Sequence, residues 1–361
     1  MNSYLKLKVL VVPLDWGLGH ATRCIPIIRA LLGSGHEVLI GAERNQAVLL
    51  RQEFPQLKIL PVKGYRISYS RTAIFFALKL AKQLPKIALA IRNEHHWLKK
   101  TVVQEKIDLV ISDNRYGLYH ASVPAVFITH QLTIKAPFQW LENIVRSINY
   151  RYINRFKACW VPDMETPPGI AGILSHPTVL PAIPVHYMNL LCRFVVRPLD
   201  TQYDLCILLS GPEPQRTLLE EKILTDITRL NGTVLLVRGL PAATTTPVVS
   251  ANITVVNHLG NDLLGDAIQQ SERVICRSGY TTVMELLALK KKMILVPTPA
   301  QTEQEYLGAT LLQLKLALTI DQPAFKLTDA IGLADQFEYK ESTVELFNEK
   351  KLLDLLQNLI S

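Results

Sequence analysis

The chain has 361 residues, 48% hydrophobic and 19% charged, which excludes a disordered or low-complexity polymer and suits two domains of roughly 150 residues or more. Its net charge of +8 is uneven: residues 1–190 hold 23 Lys plus Arg against 11 Asp plus Glu, and the remainder holds 16 against 20. Five scattered cysteines form no CxxC pair and have no zinc-ligand spacing, so they read as buried thiols in a reducing compartment.

The first predicted strand is the apolar run Val9–Leu14, too short for a signal-peptide core. A glycine-containing loop follows, Asp15-Trp16-Gly17-Leu18-Gly19-His20, and then a helix over Ala21–Leu32 that ends at Gly33-Ser34-Gly35. Further strands are expected at 37–42, 58–62, 108–112 and 125–129. The second half repeats the pattern, with apolar runs at 205–209, 233–237, 253–256, 273–276 and 293–296. Strands alternating with helices predict parallel α/β sheets. The reading is therefore α/β, two doubly wound Rossmann-like domains facing across a cleft. The first domain spans 1–185 and the second 201–361, with the linker at 186–200 at the end of the stretch 177–198 that holds four prolines; the last helix has the option of packing back on the first domain.

Three strand-to-helix loops carry chemistry. Gly17 and Gly19 allow close backbone approach to a ligand at a helix N-terminus, although Thr22 stands where a dinucleotide fingerprint needs its third glycine. Arg277-Ser278-Gly279-Tyr280-Thr281-Thr282 offers amides and hydroxyls to a diphosphate, with Glu285 one turn inside for a ribose. Thr282 to Glu285 equally fits a capping box. Gln301-Thr302-Glu303-Gln304-Glu305 places amides and carboxylates after a buried strand, suited either to sugar hydroxyls or to an ordinary polar loop. Tyr65–Lys100 interleaves eight cations, among them Arg66, Arg71, Lys86 and Lys99, with apolar residues. It reads as a membrane-surface helix or as helices packed on the sheet with a solvated cationic face.

Taken in order, the three loops resemble the two-domain GT-B glycosyltransferases. The resemblance is to family 28, with its lipid-linked peptidoglycan N-acetylglucosaminyltransferase, and to the UDP-glycosyltransferase superfamily. Dense matching covers 9–42 and 253–312. The first loop departs from the glycine-richer GGxGGH, and Ser210–Arg216 lacks the GGS-type glycine pair. The resemblance implies a general-base His20 oriented by Asp113, with Asp15 as a second candidate base. His130, Gly17 and Gly19 fall on the acceptor side. It implies a diphosphate cradle at Ser278, Gly279, Tyr280, Thr281 and Thr282, a ribose-binding Glu285, a backbone contact to the base at Leu259, and sugar contacts at Gln304 and Glu305. Arg216 is the candidate phosphate cation.

The implied activity is inverting transfer from a nucleotide sugar, a UDP-sugar as co-substrate, to an acceptor hydroxyl that is lipid-borne or membrane-proximal. No metal or other cofactor is expected, nor nucleic acid as a partner. The expected location is cytoplasmic, peripheral at the inner face of the membrane. A UDP-N-acetylglucosamine 2-epimerase-like enzyme and a nucleotide-sugar-binding protein without catalysis are the alternatives.

Overall fold

A computed structural model describes residues 6–65, 73–136 and 138–360. The chain divides into two compact units, Met1–Arg193 together with Glu345–Ser361, and Phe194–Val344.

In the first unit, strands β1 (Lys8–Pro13), β2 (Glu37–Ala42), β3 (Ile59–Pro61), β4 (Leu109–Asp113), β5 (Ala125–Ile128), β6 (Ala158–Val161) and β7 (Val185–Tyr187) form one parallel sheet. Its order is β3-β2-β1-β4-β5-β6-β7. Helices α1 (Gly19–Gly33), α2 (Arg44–Glu53), α3 (Ala73–Glu105) and α4 (Gln139–Ile153) connect the strands. Both faces of β1 are covered, which is why its sequence is apolar without alternation. Val9 and Val11 enter the core with Ile27, Ile28 and Leu31 of α1. Leu10 and Val12 point the other way, into the core that holds Leu98 of α3.

The second unit repeats this plan with β8 (Tyr203–Leu208), β9 (Val234–Val237), β10 (Ile253–Val256), β11 (Ser271–Cys276), β12 (Lys292–Leu295) and β13 (Leu318–Thr319). These are ordered β10-β9-β8-β11-β12-β13, again all parallel. Its helices are α5 (Gln215–Asp226), α6 (Asn261–Gln269), α7 (Tyr280–Ala288), α8 (Thr302–Gln313) and α9 (Leu327–Gln336). In both sheets the strand order reverses beside the first strand, between β1 and β4 and between β8 and β11. Ligands of doubly wound sheets bind at such switch points, beyond the carboxyl ends of the strands.

The boundaries differ from those expected. The expected linker, 186–200, holds most of edge strand β7, and the first unit runs on to Arg193. Residues 345–361 return to the first unit, where Leu352, Leu355, Leu356 and Leu359 of α10 (Glu349–Ile360) join the core against α1. In the basic segment 65–100, Arg66 and Arg71 lie outside the described residues. In the second half of α3, Ile91 and Leu98 are buried while Lys86, Arg92, Lys99 and Lys100 are exposed, as in a helix packed on a sheet with a solvated cationic face. Among the described residues no helix is long and apolar enough to cross a membrane.

Candidate functional site

At the first switch point, β1 feeds the loop 14–18 and α1, and β4 ends at Asp113. Gly17 has φ +74°, a left-handed conformation that glycine takes without strain. The loop is fastened from beneath by the buried Gln46 of α2, whose amide donates to the carbonyls of Leu14 and Gly17. Asp15 is engaged by the following segment, accepting from the Tyr65 amide at 2.9 Å.

His20 occupies the first turn of α1, with Nδ1 3.0 Å from Asp113 Oδ2. Asp113 is fully buried, and a residue the sequence reading passed over lies against it. Arg23, one turn after His20 and 3% exposed, donates Nε to both Asp113 oxygens at 3.0 and 2.9 Å and Nη2 to Oδ1. Its Nη1 lies 2.9 Å from Nδ1 of buried His130, and its Nη2 lies 2.8 Å from His20 Nδ1. A guanidinium can only donate, so His130 Nδ1 accepts. At His20 Nδ1 the two neighbours compete: Asp113 requires a proton there and Arg23 requires a lone pair. Burial lowers the His20 pKa, Arg23 lowers it further, and Asp113 opposes both. Burial pushes the Asp113 carboxyl up, but Arg23 and His20 together hold it at about 2. The cluster therefore presents an anionic carboxylate neutralised by arginine, beside a histidine whose uncharged form is favoured.

At the second switch point, α7 starts immediately beyond β11. Its N-cap is Gly279, in extended conformation, and a Cβ built there meets nothing within 4 Å. A helix N-terminus is a position that favours an anion, and here it is capped by glycine. Thr281 and Thr282 are half-buried and Tyr280 is buried. Because the cap is Gly279, Thr282 is the third helical residue, and Thr282 and Glu285 do not stand in a capping box. Glu285 is buried on this helix, 4% exposed. Leu259 is half-buried in the loop after β10, just before α6.

Several expected ligands are instead engaged within the protein. Ser278 is buried and donates its hydroxyl to the Gln304 carbonyl at 2.8 Å, joining the start of α7 to α8. The Gln304 side chain accepts from the Thr298 amide at 3.0 Å and donates to Gln301 Oε1 at 2.6 Å. Glu305 accepts from the amide of Ala300, which has φ +64°. Both side chains thus shape the loop before α8.

Arg216 departs furthest from expectation. It is 5% exposed, with Nε on Glu213 at 2.6 Å, Nη1 on Glu220 at 2.9 Å and Nη2 on Thr217 at 2.6 Å. Glu220 is shared with Arg238. The charge offered to a phosphate is therefore already balanced by carboxylates. Arg277, which the sequence reading left without a role, is buried and donates to the carbonyls of Gln215, Val296 and Pro297 at 2.6, 3.1 and 3.3 Å. It ties the starts of α5 and α7 to the loop after β12. Burial lowers its pKa to about 10. Among the described residues no group of three or more His, Cys, Asp or Glu is arranged to hold a metal ion.

Residues 249–347 match the model of the glycosyltransferase family 28 C-terminal domain. An uncharacterized glycosyltransferase of Methanosarcina acetivorans is 24% identical, over 83% of this chain and 82% of its own. A UDP-N-acetylglucosamine--N-acetylmuramyl-(pentapeptide) pyrophosphoryl-undecaprenol N-acetylglucosamine transferase of Haemophilus ducreyi is 26% identical, over 39% of this chain and 41% of its own. Among solved structures, spinosyn rhamnosyltransferase SpnG complexed with thymidine diphosphate aligns with a TM-score of 0.64 at 15% identity, covering 98% of this chain and 100% of that one. The shared fold is GT-B.

Proposed function

We propose that this chain, a glycosyltransferase with the GT-B fold, moves a sugar with inversion from a UDP-sugar to a hydroxyl that is lipid-borne or membrane-proximal. The observation that carries the reading is a matched pair of sites, one at the switch point of each sheet. One presents a glycine-capped helix N-terminus with a buried glutamate on the same helix, and the other a histidine held by a buried aspartate.

In this reaction the diphosphate rests on the amides that begin α7, and Glu285 accepts hydrogen bonds from the ribose hydroxyls. His20, with Nδ1–H donated to Asp113, uses Nε2 to take the acceptor proton as the acceptor oxygen attacks the anomeric carbon. Attack comes from the face opposite the diphosphate, which leaves onto the helix-terminal amides, where its developing charge is stabilised. The step as written uses no metal and no cofactor beyond the nucleotide sugar. The bound thymidine diphosphate of the spinosyn enzyme supports a nucleoside diphosphate, and the UDP-sugar in the name of the Haemophilus enzyme supports uridine.

Calorimetric titration with UDP, GDP, TDP and UDP-sugars, without added metal, tests the donor half. Selective UDP binding that is lost in Glu285→Ala is expected. Preference for TDP overturns the uridine assignment, and no binding to any of them overturns the donor reading. Full transfer rate in His20→Ala overturns the base assignment.

A further inference from the structure

We infer that Arg23 is a positioning residue for the proposed transfer. Its guanidinium gives the two histidines of the cluster different parts: His20 is the ring that exchanges a proton, and His130 is a ring held in one tautomer. The role deepens the acceptor half of the reading above and rests on its assignment of His20 as base. Sequence position alone does not tell the two rings apart, since each follows a strand of the same sheet, β1 and β5.

The division follows from what a guanidinium can do. It carries five N–H donors in a planar fork, has no lone pair to offer and keeps its charge. Nε and Nη2 face the Asp113 carboxylate, Nη2 also faces His20 Nδ1 at 2.8 Å, and Nη1 faces His130 Nδ1 at 2.9 Å. The lone pair of His130 Nδ1 is therefore taken, and in the neutral ring the proton sits on Nε2. The other tautomer would set Nδ1–H against Nη1–H. Backbone bonds hold the His130 segment on both sides, independently of Arg23. The Thr129 amide donates to the Trp160 carbonyl at 3.1 Å, and the Leu132 and Thr133 amides donate to the Leu174 carbonyl at 2.8 and 3.0 Å.

His20 is placed differently. Its Nδ1 lies between a carboxylate oxygen at 3.0 Å and Nη2 at 2.8 Å, so each neutral tautomer has one partner and neither needs the ring to rotate. With Nδ1–H on Asp113, Nε2 is bare and takes the acceptor proton. The imidazolium so formed has no lone pair for Nη2, and it sets a second cation beside Arg23, whose charge already offsets Asp113. Arg23 thus works against the charged ring and returns it to the neutral base after each transfer. Burial also disfavours the charged ring, more than Arg23 on the same helix or His130 after β5, whereas Asp113 of β4 favours it. The Cys24 thiol beside Asp113 is pushed up by burial, stays protonated and adds no charge.

The test is ring-nitrogen NMR of the full chain carrying isotope-labelled histidine, titrated with pH, with His20→Gln and His130→Gln spectra assigning the two rings. Wild type is compared with Arg23→Lys, which keeps a cation on Asp113 but has one arm instead of a fork, and with Arg23→Met, which removes the charge. Expected in wild type are a neutral His130 with Nε2 protonated and Nδ1 bare, and a His20 midpoint below 6.5. Arg23→Lys is expected to release His130 into a mixture of tautomers. Arg23→Met is expected to raise the His20 midpoint by about one pH unit, or roughly tenfold in proton affinity. A purely structural arginine would change melting and leave both signals where they are. A wild-type His130 protonated on Nδ1 overturns the inference, as does an unchanged His130 tautomer in Arg23→Lys or an unchanged His20 midpoint in folded Arg23→Met. Where Arg23→Met does not fold, the wild-type and Arg23→Lys tautomers decide. The titration contains neither donor nor acceptor, so its result is separate from the nucleotide titration and from the His20→Ala assay of the base itself.

Discussion

Asp113 and Arg23 are each buried and each other's main charge partner, so a double-mutant cycle between them has a calculable shape. Asp113→Asn keeps the shape but leaves a guanidinium that is 3% exposed without its carboxylate. Arg23→Met leaves a fully buried carboxylate with His20 Nδ1 and the Cys24 thiol, 3.9 Å away, as its neighbours. Breaking a buried pair from one side costs about 3–5 kcal/mol, whereas removing both charges relieves most of that penalty. Each single variant is therefore expected to lose about 3–5 kcal/mol, and the double variant no more than either single.

The readout is urea unfolding followed by tryptophan fluorescence. All four tryptophans, at 16, 97, 140 and 160, belong to the first unit, so the signal reports that unit alone. Additivity within about 0.5 kcal/mol would refute the pairing. The same cluster sets an acid limb. Asp113 has its folded pKa depressed from 3.8 to about 2, so its stabilisation, roughly 2 kcal/mol, is present above pH 3.8 and lost as pH falls through about 2. His20 is also depressed, so the unfolded chain takes its proton first and stability begins to fall below pH 6.5.

Three further outcomes are expected. His20→Gln lowers the transfer rate by about 10²–10⁴-fold while leaving UDP affinity unchanged, and the wild-type acid limb of kcat/KM lies below the ordinary histidine midpoint of 6.5. Glu285→Gln weakens UDP binding about tenfold, read by calorimetry, and spares binding of inorganic diphosphate. Arg216→Met leaves Glu220 with Arg238 as its one remaining cation among these partners and destabilises the second unit modestly, read as an earlier transition in scanning calorimetry. Its folded fraction still binds UDP, whereas loss of binding without loss of stability would restore Arg216 to the phosphate site.

The strands β1, β2, β4, β5 and β8–β12 were legible because parallel strands covered on both faces are continuous apolar runs. Strand β3 was also expected, at 58–62, whereas β6, a fully buried inner strand of four residues, and edge strands β7 and β13 were not. Three half-buried residues, Val185–Tyr187, and two, Leu318–Thr319, carry too little pattern to separate from loop. The leucine stripe of α10 marks a helix with one buried face but says nothing of which core receives it. At the site, the pairing of His20 with Asp113 came from the family resemblance, since position after a strand alone left His20 a turn residue and Asp113 a cap; the two side chains do meet, at 3.0 Å. Arg23 was missed although its spacing of three from His20 puts both on one helical face. The same rule reads Glu213 and Glu220, three before and four after Arg216, as an ion-pair ladder. Gln304 and Glu305 illustrate a different limit. Polar residues in a first helical turn serve the preceding loop as readily as a ligand, and only coordinates distinguish the two.

The first unit is written in the sequence as two pieces, and the second is an insertion between them. Leu190 pairs with the segment 345–347, its amide donating to the Glu345 carbonyl and its own carbonyl receiving the Phe347 amide, so exit and re-entry lie side by side. A fragment ending at Val344 would therefore lack four core leucines and expose the flank of α1. Joining Arg193 to Glu345 through a few glycines would instead excise residues 194–344 as a cassette. The second unit is thus exchangeable by cutting at two neighbouring points, and the first unit is the one that cannot be shortened from its C-terminal end.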